Sequence, residues 1–378
     1  MIKELVFEGP INNLSLGNVS VNLLKSLHKK EVKVYYLPIG PTDINNFNLT
    51  DDFKLWLQAA SLSFLKSYRR DLITLKNWHI QQSWHFPTDK RYLLTYFELD
   101  QCTSEEQNIV KNIDKTFFCG NYSQGIFEEY GLNGKVDSFN LAFDESSFSK
   151  TNKTYFNDGR INWGLFAKLE KRKHSLELLQ IWAKKYGKKQ GESYKPGEQQ
   201  HFLNVQITNA FYPVENQKAQ VEQTLNGQKY INIQFFWGFL DRGSWNDMLN
   251  VTDIDLTGLS GGESWNLIPF NISCLGKWSI VLNCTGMKSW ANKDNCILVN
   301  PNGKTEAFDG IFFPKIGTAP FNNGNIFTFN SLDVENAMDE AIKRAKTPNT
   351  EGEKLRETFS WDKTVDYILN KIEEDLNK

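Results

Sequence analysis

The sequence has few cysteines and no long hydrophobic run, and both absences narrow the class of protein. The five cysteines are dispersed and share no paired spacing; they are Cys102, Cys119, Cys274, Cys284 and Cys296. An odd, dispersed set is typical of reduced thiols in a cytosol. No run of about 18 uncharged apolar residues is present for a membrane span, and the N-terminus lacks the apolar run of a signal peptide. We therefore expect a cytoplasmic protein.

The sequence also lacks a charge surplus and a recognisable metal motif. Its formal net charge is -2, whereas a nucleic-acid-binding protein usually shows a basic surplus. No HExxH pattern, Asp-x-Asp clamp in a loop or nucleophile elbow is present. Asp253 and Asp255 have the Asp-x-Asp form, but they lie inside a predicted strand, and Asp255 is interpreted as structural. We expect neither a nucleic-acid partner nor a metal.

The length of 378 residues is too great for one core and favours two domains. Strand-like and helix-like segments alternate along both halves, which predicts an α/β protein with two parallel sheets. A polar stretch at 144–160 interrupts the alternation and is interpreted as a linker. We predict two doubly wound, Rossmann-like domains, at 1–150 and 155–355, that face each other across a cleft.

Two segments are candidate anion sites. Gly17 lies near the start of the first predicted helix, where backbone N–H groups attract anions and a glycine lets a phosphate approach. An ordinary turn is the alternative.

Lys168 follows a predicted strand and Lys173 starts the next predicted helix, where the helix dipole disfavours a cation. A bound diphosphate would relieve this repulsion, and a solvated basic loop is the alternative. Their neighbours Lys171 and Arg172 are predicted to be surface residues.

The segment GLSGGESWNLIPFNISCLG, residues 258–276, places a carboxylate at the end of a predicted strand. Glu263 follows Gly261 and Gly262, and a predicted helix comes next. Because ligands bind at the carboxyl ends of parallel strands, Glu263 is a candidate acceptor of hydrogen bonds from sugar hydroxyls. The alternative is a negative charge that stabilises the start of the following helix.

A second candidate lies in the aromatic loop QQSWHFPTDKR, residues 81–91, where His85 stands between Trp84 and Phe86. A histidine here is a candidate general base or a ligand of the acceptor hydroxyl, and a packed or exposed loop residue is the alternative. The preceding segment, residues 63–84, mixes basic and aromatic residues and is interpreted as an amphipathic surface helix. Contact of this segment with a membrane is the alternative interpretation.

Four segments together resemble the GT-B glycosyltransferases, most closely the large retaining group called family 4. They are FEGPINNLSLGNVSVNLLKSL, GLFAKLEKRKHSLELL, CGNYSQGIFEEYGL with FNLAFDESSF, and LSGGESWNLIPFNISCLGK. The resemblance spans nearly the whole chain, and its last segment is the most specific. The family pattern has two glutamates separated by seven residues, whereas this sequence has Glu263 and then Asn271. An asparagine still accepts and donates hydrogen bonds, so a weakened ribose contact is expected there.

The resemblance implies a metal-independent hexosyltransferase of the 2.4 class that needs no cofactor. The enzyme would move a hexose, with retention, from a UDP- or GDP-type sugar to a glycan or lipid-linked acceptor in glycan or surface-polysaccharide assembly. Lys168 and Lys173 would stabilise the leaving diphosphate, Glu263 would hold the sugar and His85 would meet the acceptor. The implied donor-binding residues are Gly17, Phe236, Gly238, Ser260, Gly261, Gly262, Ser264, Trp265, Asn266 and Asn271.

The resemblance also implies that the terminal helix, residues 359–378, packs back onto the first domain, and it allows peripheral contact at the inner face of a membrane. Asn271 motivates an alternative function, a non-catalytic GT-B scaffold that binds a glycan or a nucleotide. A GT-B epimerase or phosphorylase is a third interpretation, of which the phosphorylase is disfavoured by the short chain.

Overall fold

The computed structural model describes residues 2–378, which divide into two compact units. Unit 1 comprises the chain up to Ser147 together with Ile316–Gly324 and Arg356–Lys378, and unit 2 comprises Phe148–Lys315 and Asn325–Leu355. The chain therefore passes from unit 1 to unit 2 between Ser147 and Phe148, inside the polar stretch at 144–160. Segment Ile316–Gly324 belongs to unit 1 although unit 2 flanks it on both sides, a feature that the sequence analysis did not anticipate.

The strands form one parallel sheet in each unit. In chain order, β1 to β14 are Glu4–Gly9, Lys33–Pro38, Ile73–Asn77, Lys90–Thr95, Lys115–Cys119, Val136–Phe139, Ile161–Phe166, His201–Gln206, Ile233–Phe235, Ile254–Asp255, Trp278–Leu282, Ile297–Val299, Gly303–Glu306 and Asn325–Thr328. The sheet of unit 1 has the order β2-β1-β3-β4-β5-β6, and that of unit 2 has the order β12-β11-β10-β7-β8-β9. Strands β13 and β14 pair as a separate antiparallel ribbon.

Helices follow most strands, as expected for parallel sheets joined by crossover connections. In chain order, α1 to α12 are Ser15–Lys29, Asp51–Ser67, Ser104–Lys111, Asn121–Glu129, Ser175–Tyr186, Val214–Thr224, Arg242–Val251, Leu267–Cys274, Ser331–Arg344, Thr350–Glu353, Leu355–Thr358 and Trp361–Leu376. The prediction of an α/β protein with two parallel, doubly wound sheets is thus confirmed.

The central strands are buried on both faces, as parallel sheets require. Strands β1, β3, β5 and β7 are almost entirely inaccessible. The carboxyl ends of β1 and β3 lie side by side, because Glu8 is in register with Lys76. The corresponding edge of unit 2 carries the loops that follow β7 and β10.

The terminal helix α12 packs in unit 1 against α1. Ser26 donates a hydrogen bond of 2.8 Å to Asp362, Lys29 pairs with the same carboxylate at 2.5 Å, and Lys30 pairs with Asp366 at 2.7 Å. The helix α12 also buries Ile368 and Ile372. Hydrophobic burial and ion pairing therefore hold the end of the chain on its beginning.

The prediction of one surface helix over residues 63–84 is wrong. The helix α2 ends at Ser67, and the chain then forms the buried strand β3 and a short 3₁₀ turn at Ile80–Gln82. The hydrophobic pattern does not predict this strand because it contains Lys76, and a lysine is rarely buried unless it is paired. The structure pairs its ammonium with Glu8 Oε1 at 3.0 Å.

The strand predicted at 254–260 is also shorter than expected. Only Ile254–Asp255 pairs with its neighbours as β10. The backbone turns directly afterwards, where Thr257 donates its N–H to the Asp255 carboxylate at 3.0 Å. This early turn frees the following residues to form the loop that carries Glu263.

Candidate active site

Glu263 lies in the loop between β10 and α8 and is almost fully buried. Its Oε1 accepts hydrogen bonds from Arg172 Nη1 at 2.7 Å and from Ser260 Oγ at 2.8 Å. The Lys173 ammonium pairs with the same oxygen. Glu263 lies three residues before Asn266, the N-cap position of α8. Its charge is met by side-chain cations.

Arg172 is the central member of this site, and the prediction that it is a surface residue is wrong. It is buried in the 3₁₀ turn Lys171–Lys173. One of its guanidinium nitrogens lies 3.1 Å from Glu170 Oε2, while the other also donates to the Gly262 carbonyl at 2.8 Å. In such a turn successive side chains point in different directions, about three residues per turn. Lys171 is therefore exposed, whereas Arg172 and Lys173 turn towards Glu263.

Two acids and two bases form a neutral buried network; they are Glu170, Arg172, Lys173 and Glu263. Burial lowers the pKa of Lys173, an effect that Glu263 partly opposes. Burial by itself would raise the pKa of Glu263, but the charges of Arg172 and Lys173 outweigh it and lower the pKa. The cost of desolvation often cancels the attraction in a buried ion pair, so this network need not stabilise the fold. Buried groups with shifted pKa values cluster at functional sites, and the network is therefore a candidate functional site.

Lys168, the other predicted phosphate-binding cation, lies at the edge of the same network. Its ammonium is 3.8 Å from Glu170 Oε1 and 5.7 Å from the centre of the Phe211 ring. Lys168 and Lys173 thus approach different carboxylates of the network, Glu170 and Glu263 respectively. Lys168 is partly exposed and Lys173 is nearly buried.

Close packing within unit 2 requires a glycine at position 261, two residues before Glu263. A side chain at Gly261 would collide with the Phe327 carbonyl and with the His174 ring. The Gly261 N–H donates to the Arg172 carbonyl at 2.8 Å, and the Gly261 carbonyl accepts from Phe327 N–H at 2.8 Å. These contacts hold the loop of Glu263 against the 3₁₀ turn of Arg172.

The residues after Glu263 anchor the start of α8. The Trp265 ring is buried, and its carbonyl accepts a hydrogen bond of 2.8 Å from Trp290 Nε1. Asn266 adopts a left-handed conformation with φ of 62° and donates to the Thr257 carbonyl at 3.0 Å. Ser264 is buried beside them.

Asn271 lies within α8 and is buried. Its Oδ1 has no hydrogen-bond partner among residues 2–378. A buried acceptor without a partner costs about 1–3 kcal/mol. The Asn271 Oδ1 therefore either destabilises the fold or accepts a hydrogen bond from a bound ligand.

Phe236 and Gly238 follow β9 in unit 2. The Phe236 N–H donates to the Val205 carbonyl at 2.8 Å. Gly238 has a φ of 93°. Its carbonyl accepts a hydrogen bond from the Gln206 side chain, and its N–H donates to the Thr208 hydroxyl. Both residues are partly exposed.

Gly17 and His85 lie in unit 1, unlike the residues described above. Gly17 packs so closely on the Asn12 backbone that a side chain would collide with it. His85 is exposed in the loop after β3, and its carbonyl accepts a hydrogen bond of 3.0 Å from the buried Lys76. Neither Glu8 nor Lys76 was singled out from the sequence, although the register of β1 and β3 brings them together.

Residues 2–378 contain neither a candidate metal site nor a candidate membrane-spanning helix. No group of three or more His, Cys, Asp or Glu side chains in that range is placed to hold a metal ion. No helix in the same range is both long and apolar enough to cross a membrane.

No protein-family model and no curated protein matches the chain, but solved structures match almost all of it. A glycosyltransferase from Rickettsia africae has a TM-score of 0.63 at 13% identity, over 99% of this chain and 98% of that chain. Sucrose-phosphate synthase from Thermosynechococcus elongatus has a TM-score of 0.63 at 12% identity, over 98% of each chain. Anabaena HepE in complex with UDP and glucose has a TM-score of 0.59 at 12% identity, over 98% of this chain and 100% of that chain.

The chain has the GT-B fold. Its two GT-B units correspond to the two parallel sheets, and the buried ionic network lies in the second unit. The Glu8–Lys76 pair lies in the first.

Proposed function

We propose that this GT-B chain is a metal-independent retaining glycosyltransferase that moves a hexose from a UDP- or GDP-type sugar to an acceptor hydroxyl. The observation that carries the proposal is the buried network of Arg172, Lys173 and Glu263 on the two loops that resemble the family motifs. The fold supports it, since structural relatives include HepE in complex with UDP-glucose.

The network supplies what such a reaction demands. The bond between the anomeric carbon and the β-phosphate oxygen breaks, and its electron pair leaves with the nucleoside diphosphate. The acceptor oxygen forms the new bond, and its proton passes to the departing diphosphate oxygen. Lys168, Lys173 and Arg172 stabilise the charge that develops on the diphosphate. A diphosphate that binds Lys173 competes with Glu263 for the ammonium, and it thereby releases the Glu263 carboxylate to accept hydrogen bonds from sugar hydroxyls.

The remaining residues complete the proposed site. The orphan Oδ1 of Asn271 accepts from a ribose hydroxyl, and His85 contacts the acceptor hydroxyl. The other proposed donor contacts are Gly17, Phe236, Gly238, Ser260, Gly261, Gly262, Ser264, Trp265 and Asn266. A glycan or lipid-linked acceptor, peripheral contact with a membrane and a role in glycan or surface-polysaccharide assembly belong to the same proposal.

Titration calorimetry with UDP, GDP, ADP and CMP tests the donor site. We expect one nucleotide to bind the wild type and to raise its free energy of unfolding by about 2.7 kcal/mol at 100 times its Kd. Lys173→Ala should lose this binding. Lys171→Ala is the matched control, because the adjacent Lys171 is exposed and its ammonium donates to the Glu306 carbonyl. Equal nucleotide affinity in both variants would remove Lys173 from the site.

A second function, a non-catalytic scaffold, is favoured by Asn271, which replaces the second glutamate of the motif. Under that function the wild type binds a nucleotide but forms no product, and Asn271→Glu remains inactive. Product formation by the wild type, followed by NMR of the anomeric proton, would exclude the scaffold and would also distinguish transfer from epimerisation.

A further inference from the structure

Glu8 and Lys76 form a buried ion pair at the carboxyl edge of the sheet in unit 1. Glu8 is the penultimate residue of β1 and is only 9% exposed. Its Oε1 lies 3.0 Å from the Lys76 ammonium, which is itself buried in β3. The two residues are in register on neighbouring strands, so the pair is fixed by the backbone.

The second oxygen of Glu8 is unsatisfied. Glu8 Oε2 is buried and has no hydrogen-bond partner within residues 2–378. Burial raises the pKa of Glu8, although the Lys76 charge opposes the rise. An acceptor left in this state destabilises the fold, and a buried ion pair seldom offsets such a loss.

Another buried glutamate of unit 1 shows how this loss is normally avoided. Glu106, in α3, accepts a hydrogen bond from Thr103 N–H at 2.8 Å on one oxygen and from Asn322 N–H at 2.9 Å on the other. Both of its oxygens are thereby satisfied inside the protein. Glu106 is a structural carboxylate, and Glu8 differs from it in having an oxygen still to be bonded.

Lys76 also connects Glu8 to the loop of His85. Its ammonium donates to the His85 carbonyl at 3.0 Å and lies 5.2 Å from the centre of the Phe86 ring. The positive charge of Lys76 is thus directed at three groups of the protein itself. What this cluster offers a ligand is therefore the carboxylate of Glu8.

We infer that Glu8 binds the acceptor, with Oε2 accepting a hydrogen bond from a hydroxyl of a neutral, polyhydroxylated sugar while Lys76 holds Oε1. The inference rests on the proposed function and specifies its acceptor class. A carboxylate accepts from hydroxyls and repels a phosphate, so the site selects against phosphorylated sugars. Lys76 is a positioning residue, because it orients both the Glu8 carboxylate and the loop that carries His85.

Saturation-transfer NMR with glucose and with glucose 6-phosphate as probes tests this inference on the full chain. We expect the wild type to bind glucose at least tenfold more tightly than glucose 6-phosphate. Glu8→Gln should weaken glucose binding at least tenfold and reduce the discrimination between the two probes. Glu106→Gln is the matched control, a change of the same kind at a buried glutamate of the same unit, and it should keep both the glucose affinity and the discrimination.

The inference is overturned by a wild type that does not bind glucose, by one that prefers glucose 6-phosphate, or by equal glucose affinity in Glu8→Gln and the wild type. Thermal melting identifies variants that do not fold, and Glu8→Gln/Lys76→Met, which removes both charges together, then replaces Glu8→Gln. Calorimetry with the nucleotides on the same samples separates the two proposals. Absent nucleotide binding by the wild type contradicts the donor site, whereas unchanged glucose binding in the Glu8 variants contradicts only the acceptor residue.

Discussion

Glu263 and Glu8 are both buried carboxylates with one oxygen held by a lysine of the same unit. They differ in their further partners. Glu263 also accepts hydrogen bonds from Arg172 and Ser260, and the charges of Arg172 and Lys173 lower its pKa. Glu8 keeps a free oxygen, and burial holds its pKa high. At the residue scale, the partners of a carboxylate decide its chemistry more than its burial does.

Arg172→Met tests the ionic network. The substitution leaves Glu170 and Glu263 buried with less opposing charge, and loss of one partner of a buried pair typically costs about 3–5 kcal/mol. We expect a decrease of that size in the free energy of unfolding, measured by urea denaturation at pH 7. The exposed neighbour serves as control, since Lys171→Met should change stability by less than about 0.5 kcal/mol. Equal, small effects of the two substitutions would contradict the burial of Arg172.

Asp255→Asn tests a second buried acid. Burial raises the pKa of Asp255 from 3.8 to about 6, although Thr257 partly opposes it. Because the folded state holds the proton more tightly, native Asp255 destabilises the protein increasingly as pH rises from 3.8 to about 6. Above that pH the loss is constant at about 3 kcal/mol. We expect Asp255→Asn to gain up to this amount at pH 8 and nothing at pH 3.5, measured by urea denaturation at each pH.

Asp158→Asn gives the opposite sign for comparison. The side chain of Asp158 is paired with Arg160, which lowers the pKa of Asp158 to about 2. A lowered pKa stabilises the fold above 3.8 and ceases to do so as pH falls towards 2. Asp158→Asn should therefore lower the free energy of unfolding at pH 8, measured by the same urea denaturation. A gain at pH 8 for both substitutions would point to a cause other than these two titrations.

At the scale of elements, α2 combines a buried face with an exposed apolar one. Phe53 and Leu57 are buried, whereas Leu55 and Leu65 are 67% and 79% exposed, and Leu62 is also exposed. Exposed apolar side chains grouped on one helix mark an interaction surface more often than single ones do. This surface belongs to α2 alone, since the second half of the segment first predicted as an amphipathic helix is the buried strand β3.

Leu55→Ser/Leu65→Ser tests the proposed membrane contact. Burial of leucine side chains in a lipid interface stabilises binding by about 1.5–3 kcal/mol per residue, so we expect a loss of more than tenfold in co-sedimentation with phosphatidylglycerol vesicles. Leu332→Ser, at a site 60% exposed on α9 of unit 2, should bind as the wild type does. No sedimentation of the wild type would refute the contact.

At the scale of the whole molecule, the chain passes between the two units four times, at 147–148, 315–316, 324–325 and 355–356. Unit 1 holds its short insertion through Glu106, which bonds Asn322, and through Thr103, which donates to the Pro320 carbonyl at 2.6 Å. It holds the end of the chain through α12. Unit 1 therefore depends on segments that are distant in sequence.

Ile368→Ala tests the dependence of unit 1 on α12. The side chain is 1% exposed, and removal of a buried isoleucine typically costs about 2–5 kcal/mol. Amide hydrogen exchange should show the greatest loss of protection in β1 to β6 of unit 1, although α12 follows unit 2 along the chain. A loss concentrated in β7 to β12 would contradict the packing of α12 in unit 1.

The sequence by itself determined the fold class and the approximate bounds of most elements. Apolar runs, helical periodicity and glycine stops report on local structure and on burial, and parallel sheets follow from the alternation of strands and helices. It also singled out Lys168, Lys173 and Glu263, because a cation after one strand and a carboxylate after another are unusual local features.

Only the tertiary structure decided which charged and polar side chains are buried and which residues they pair with. The burial of Arg172, the strand that contains Lys76 and the orphan oxygens of Glu8 and Asn271 depend on residues brought together from distant parts of the chain. A charged side chain is read as exposed from sequence, because burial of an unpaired charge is too costly. Pairing removes that cost, and the pairs here join residues 68 and 91 positions apart along the chain, from Glu8 to Lys76 and from Arg172 to Glu263.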